Sequence, residues 1–336
     1  MNTVAPLKWL SDSALDRLRA AVDIPDLSGT RYLLLDKLGQ GGMSSVYRAE
    51  DTVLGRHVAL KVIGFADASG ELAARLLHEA KVIAQLEHPG IVPVHDVGTL
   101  PDGRLFYTMK LVQGQRLDQR VAKFGGLPER LRMFQRICEA VSFAHAHGVL
   151  HRDLKPQNVM VGPFGEVLVM DWGLSKFLCA KNDVVTEELR PSSPSAKQTL
   201  ATGTSHGTIL GTPGYMAPEQ ARGDVTTLDQ RADIYSLGEV LKFLLEGAFR
   251  DPIPKALTAI CGKASAAEPQ QRYDSAQELA SDVAHYLDGL PVKAYPERPF
   301  ARLWRWTAKN SAWLLLILAY ILMRALLILW RIRQCF

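Results

Sequence analysis

Hydrophobic positions change their spacing along the chain. Tyr32–Leu38, Val46–Ala49 and His57–Ile63 are short runs rich in β-branched and aromatic residues, with glycines between the first two. This is the pattern of strands. From Glu71 to Leu86 the spacing shifts to three and four, with Leu72, Leu76, Ala80 and Ile83 on or near one face, and His88-Pro89-Gly90 ends this helix. Ile91–Gly98 and Leu105–Met109 read as two more strands about the Pro101-Asp102-Gly103 turn. Helical spacing then dominates. Pro128-Glu129 opens a long helix carried by Leu131, Phe134, Ile137, Val141 and Phe143 to His147-Gly148. Val149-Leu150 leads into the polar string that follows, Val159–Val161 and Val167–Met170 are short strands, and helices return over Gln230–Leu245, Pro254–Ser265 and Ser275–Leu287. The pattern predicts an α+β chain with a small β-rich part over 31–111 and a helical part over 112–290.

Outside this body the pattern weakens. Residues 1–30 form a leader in which Leu7, Leu10, Leu15 and Leu18 would share one face of a short helix, with no apolar core long enough for a signal peptide. Residues 180–207 are rich in Ser, Thr, Lys and Pro and read as a long loop. Residues 291–311 form a basic linker, 312–330 an apolar run broken only by Arg324, and 331–336 a short tail. Nineteen helical residues span about 28 Å, close to a bilayer core. Arg324 lies near the end of the run, where it can snorkel. The expectation is a single spanning helix, with an interfacial or protein-buried helix as the alternative.

Charge sharpens the division. The net charge is +4, but seven basic and no acidic residues follow Glu297, which leaves a body of about −3. Such a body argues against nucleic acid as a partner, and the basic tail suits a membrane surface. None of the four cysteines lies in a CxxC pair or a zinc-spaced cluster, so neither a disulfide framework nor a zinc site is expected. Cys138 reads as a small core residue.

The chemistry concentrates in His151-Arg152-Asp153-Leu154-Lys155-Pro156-Gln157-Asn158, followed by Asp171-Trp172-Gly173. Phosphoryl transfer needs a carboxylate to orient a hydroxyl, a cation for phosphate oxygens and oxygen ligands for Mg²⁺. Asp153 and Lys155 suit the first two roles, and Asn158 and Asp171 the third. His151 reads as a buried structural histidine. Gly39-Gln40-Gly41-Gly42-Met43-Ser44-Ser45-Val46, between two strands, permits backbone to close over phosphates. Lys61 stands in the apolar strand Val58-Ala59-Leu60-Lys61, where an unpaired ammonium is expensive. Glu79 on the following helix is its natural partner, with Glu71 as the alternative.

Over roughly residues 31–290 these motifs resemble the bacterial serine/threonine protein kinases of the eukaryotic type. The resemblance implies a two-lobed kinase fold, ATP and Mg²⁺ as cofactors, and a protein Ser/Thr hydroxyl as substrate. It places the nucleotide among Leu38, Gly39, Gln40, Gly41, Gly42, Met43, Ser44, Val46, Ala59, Lys61, Met109, Lys110 and Val112. Catalysis falls to Asp153, Lys155, Lys61 and Glu79. Gly211 to Glu219 resembles the end of an activation segment, in which Thr212 would contact Asp153 and Lys155. Thr208, and next Thr204, would be phosphorylated within reach of Arg152. Asp233 resembles the residue that anchors the catalytic loop, and Arg272 the one that pairs with Glu219. A homodimer could phosphorylate itself in trans. With the ATP requirement, the spanning run implies a cell-membrane protein with its kinase part cytoplasmic.

The departures are Ser44 in place of a third glycine, a long segment from Asp171 to Glu219, a shortened stretch after Leu245, and Lys110 where an acidic residue is common. The alternative they keep open is a tethered pseudokinase that binds nucleotide or a partner. Small-molecule phosphorylation is a third reading.

Overall fold

The computed structural model describes residues 24–41, 44–64, 70–172, 176–177, 214–223, 228–246, 252–296, 316–317 and 319–325. The leader helix over Leu7–Leu18, the loop over 180–207, and Gly42, Met43, Gly173, Thr204, Thr208 and Thr212 lie outside them.

The first five strands are β1 (Tyr32–Gln40), β2 (Ser44–Asp51), β3 (Arg56–Ile63), β4 (Val94–Thr99) and β5 (Leu105–Lys110). They form one antiparallel sheet in the order β1-β2-β3-β5-β4. Alternation sends Val58, Leu60 and Val62 to one side, where they pack with Tyr32, Tyr47 and Phe106. Leu27 joins that cluster, so the chain before β1 helps to close it. Ala59 and Ile63 face the other side with Tyr107 and Met109, and helix α1 (Glu71–Ala84) covers them through Leu76 and Ala80. The strand expected from Ile91 begins only at Val94. Pro93 has no N–H to give a ladder. Ile91 instead makes a lone bridge to Val169, while Lys110 N donates to the Pro93 carbonyl.

The second part opens with β6 (Gln115–Arg116) and the short helix α2 (Leu117–Arg120). Helix α3 (Leu127–Ala146) follows. Pro128 sits in its first turn, where a missing N–H costs nothing, and Gly148, at φ 73°, turns the chain out. Leu131, Phe134, Ile137, Cys138 and Val141 of α3 are fully buried. Strands β7 (Val149–Leu150), β8 (Val159–Val161), β9 (Val167–Val169) and β10 (Lys176–Phe177) follow, β7 pairing with β10 and β8 lying between β6 and β9. Helices α4 (Pro218–Ala221), α5 (Arg231–Leu245), α6 (Lys255–Ala264) and α7 (Ala276–Leu287) complete the body. The apolar faces of α5, α6 and α7 join α3 in one core that also takes in Val82, Ile83 and Leu86 from the first part. The α+β division expected from the sequence is the observed architecture.

Past α7 the chain stays on the body. Val292 is buried, and Lys293 N and Ala294 N donate to the two oxygens of the buried Asp282 at 2.8 and 3.0 Å. The basic linker expected from residue 291 therefore begins with docked chain. Of the apolar run 312–330, residues 316–317 and 319–325 are helical and exposed, and the rest lies outside the described residues. Among the described residues no helix is long and apolar enough to cross a membrane.

Candidate active site

Lys61 of β3 lies opposite Val46 of β2 and Tyr107 of β5. Its Nζ donates to both Glu79 oxygens, at 2.8 and 2.9 Å, and to Asp171 Oδ1 at 3.3 Å. Tyr107 donates its hydroxyl to Glu79 Oε1 at 2.9 Å. The expected Lys61–Glu79 pair is thus present, and it is nearly buried: the two side chains are 12% and 4% exposed. Burial alone would lower the Lys61 pKa, yet Tyr107, Glu79 and Asp171 around the ammonium hold it above its usual value. Burial, with Glu79 adding to it, pushes the Tyr107 phenol up.

The catalytic string is fixed by a carboxylate behind it. Asp233, in the first turn of α5, accepts from His151 N at 2.9 Å and Arg152 N at 2.8 Å, and His145 Nε2 lies 2.7 Å away. Burial would raise Asp233, but His145 and His151, together with the Arg152 N–H, hold its carboxyl below the usual range. His151 is fully buried, lies against Trp172 and places Nε2 3.0 Å from the Met170 carbonyl. Its Nδ1 accepts from Asp153 N at 3.2 Å. Both ring nitrogens are therefore occupied within the fold, which fits a structural histidine.

Asp153 Oδ2 accepts from Lys155 Nζ at 2.6 Å and from Asn158 Nδ2 at 3.1 Å. Asn158 Nδ2 also donates to the Asp153 carbonyl at 2.8 Å. Asp171 follows β9 in the left-handed region, at φ 64°, with its carboxylate half-exposed. Burial works to raise its pKa, while Lys61, then His151 and Lys155, outweigh it and hold the carboxyl low. Asn158 and Asp171 offer hard oxygen donors to one cleft, and these suit Mg²⁺. Among the described residues no group of three His, Cys, Asp or Glu side chains is arranged to hold a metal ion by itself. A cation here would draw its remaining ligands from substrate oxygens and water.

Ser44, Lys61, Glu79, Met109, Asn158 and Asp171 line this cleft, as the sequence suggests. Ile83, Val92, Tyr107 and Met170 line it too, and sequence reasoning did not single them out for this site. Two had a signal: Ile83 is one helical turn beyond Glu79, and Tyr107 is two residues before Met109 on the same strand face. Val46, Ala59 and Met109 share an apolar cluster with Met160, Leu168 and Met170, next to the partly buried Val112. Leu38 is exposed at the end of β1, followed by Gly39 and Gln40, and Gly41 N closes the loop on the Ser44 carbonyl at 2.8 Å. Lys110 is exposed.

Glu219 of α4 meets Arg272 in a bidentate pair at 2.6 and 2.8 Å. The same guanidinium donates to the carbonyls of Arg231, Ala266 and Ala267. These bonds satisfy a buried arginine and weld α4 to the helical part.

A family model described as protein kinase domain matches residues 32–302. The chain belongs to the protein kinase domain family. This kinase domain is 34% identical to the serine/threonine-protein kinase PknD of Protochlamydia amoebophila, over 77% of this chain and 30% of that protein. It is 37% identical to the PknD kinase of Chlamydia trachomatis, over 78% of this chain and 32% of that protein. The chain thus spans about a third of the length of the curated relatives it matches. Among solved structures it is similar to the Mycobacterium tuberculosis PknI kinase domain, with a TM-score of 0.54 and 27% identity, over 76% of this chain and 95% of that one.

Proposed function

We propose that this protein is an ATP- and Mg²⁺-dependent serine/threonine protein kinase. One observation carries the reading: the Lys61–Glu79 pair reaches Asp171, and Asn158, tied to Asp153 and Lys155, lines the same cleft. Lys61 would hold the α- and β-phosphates, with Glu79 fixing its direction. Asp153 orients the attacking hydroxyl and takes its proton as the oxygen bonds to the γ-phosphorus and the bond to ADP breaks. Lys155 neutralises charge on the transferring group. Asn158 and Asp171 would hold Mg²⁺, which supplies charge neutralisation between the phosphates when bound. Leu38, Val46, Ala59, Met109 and Val112 would enclose the adenine, and the backbone of 39–44 would cover the phosphates. The test is transfer from labelled ATP with Mg²⁺ to a Ser/Thr peptide mixture, with an Asp153→Asn control. Nucleotide binding without transfer would favour the pseudokinase alternative.

Regulation and placement belong to the same proposal. Thr208, or next Thr204, would be phosphorylated, in trans within a homodimer, with Thr212 kept for contact with Asp153. In support, Arg152 is half-buried, and its Nε has no hydrogen-bond partner among the described residues. Burial lowers the Arg152 pKa, and Asp233 offsets this in part. A phosphate would supply charge-assisted bonds to that guanidinium. Changing Thr199, Thr202, Thr204, Ser205 and Thr208 together to alanine should lower activity, and full activity would sink the switch. The apolar run 312–330 would anchor the chain in the cell membrane with the kinase domain on the ATP-containing cytoplasmic side.

A further inference from the structure

We propose that Gln220 is a positioning residue for Asp153, an assignment that rests on the phosphoryl-transfer reading above. Arg152, the residue before Asp153, sits at φ 69°, a left-handed conformation that a side chain rarely takes. Such a conformation persists only where its surroundings over-determine it. Here both peptide groups of Arg152 are gripped. Its N–H donates to Asp233 Oδ1 at 2.8 Å, and its carbonyl accepts from Gln220 Nε2 at 2.6 Å.

The second grip has a direct consequence for Asp153. The Arg152 carbonyl and the Asp153 N–H belong to one planar peptide unit. Gln220 holds the oxygen edge of that plane, and His151 Nδ1 holds the nitrogen edge at 3.2 Å. With both edges held, rotation of the plane is restrained, and the Asp153 Cα–Cβ bond that carries the carboxylate keeps the heading that brings it to Lys155. Gln220 is itself 4% exposed. It rides on α4, which is tied down by the Glu219–Arg272 pair beside it and by Ser236 Oγ donating to the Tyr215 carbonyl at 2.7 Å. Gln220 therefore links the end of the segment that runs from Asp171 to Glu219 with the peptide that aims Asp153. Where α4 is not seated, Arg152 keeps only the grip from Asp233.

The test uses the full chain in detergent with ATP, Mg²⁺ and a degenerate Ser/Thr peptide mixture. Gln220→Met keeps the volume and removes the donor; Gln220→Glu sets a carboxylate against the carbonyl. We expect kcat to fall tenfold or more in Gln220→Met and further in Gln220→Glu, with KM for ATP within twofold of the parent and Tm nearly unchanged. A packing role alone would leave Gln220→Met working as the parent does. Turnover of Gln220→Met within twofold of the parent would overturn the proposal. Hydrogen exchange reads the contact without turnover: amides 151–154 should exchange faster in both variants while α3 does not change. Unaltered exchange there would also overturn it. A parent that transfers no phosphate would instead sink the kinase reading, and the exchange data would still decide whether Gln220 holds the loop.

Discussion

Lys61 places an ammonium among apolar strand neighbours, and the structure answers with two carboxylates and a phenol. The Glu79 partner was legible because a charge in such a strand needs an opposite charge on the next helix. Tyr107 was missed as part of the site: its signal was the strand face it shares with Met109, and only the register sets it beside Lys61. Lys61→Met should cut turnover by about a hundredfold or more, as loss of one preorganised electrostatic group does, and steady-state kinetics at saturating ATP will show it. Asp171→Ala should abolish Mg²⁺-dependent turnover, and near-normal activity across a Mg²⁺ titration would remove its metal role. Asp233 allows a pH prediction. Its folded pKa is depressed, so its contribution to stability is full above the ordinary carboxylate value of about 4 and is lost as pH falls through the lower folded value. Asp233→Asn should flatten the decline of Tm below about pH 4. It should also lower stability at neutral pH, because two backbone donors and His145 lose their charged acceptor. An unchanged acid limb in a Tm–pH series would count against this.

Among the elements, length decided what the sequence revealed. α1, α3, α5, α6 and α7 each run for ten residues or more, enough for an apolar stripe to repeat, and their bounds agree with expectation within two residues. β6, α2 and α4 have two to four residues and leave no periodic trace. The delayed start of β4 could have been read from Pro93, which donates nothing to a ladder. The cap of α7 is Ser275, whose Oγ accepts from Glu278 N at 3.2 Å, three residues on. Ser275→Ala should therefore cost about 1 kcal/mol, measured as a shift of the denaturation midpoint with an unchanged m-value. A neutral result would mean that packing against α3 holds this end of the helix without its cap.

For the molecule as a whole, the division into a β-rich part and a helical part was legible, but the strand order β1-β2-β3-β5-β4 was not. Which antiparallel neighbours pair depends on how the sheet closes over its core, and no local pattern records that. The carboxyl-terminal boundary also escaped local reading, because Asp282 looks like a surface residue on a helix until Lys293 N and Ala294 N are found on it. This bears on where the proposed tether would begin. The sequence turns basic after Glu297 and apolar after Asn310, so a membrane segment over 312–330 would leave the docked chain intact. Truncation separates the two features. A chain ending at Pro296 keeps Val292 and both Asp282 contacts, and should be released from membranes with its Tm unchanged. A chain ending at Leu290 strips two donors from a buried carboxylate and uncovers core surface at Val292. It should lose about 1–3 kcal/mol or more, since a buried carboxylate that keeps the Tyr273 hydroxyl but loses two backbone donors is under-satisfied, and unfold measurably earlier. The full chain should stay with the membrane fraction through high salt and carbonate. Release by salt alone would replace the spanning helix with a peripheral basic contact, whose attraction salt screens.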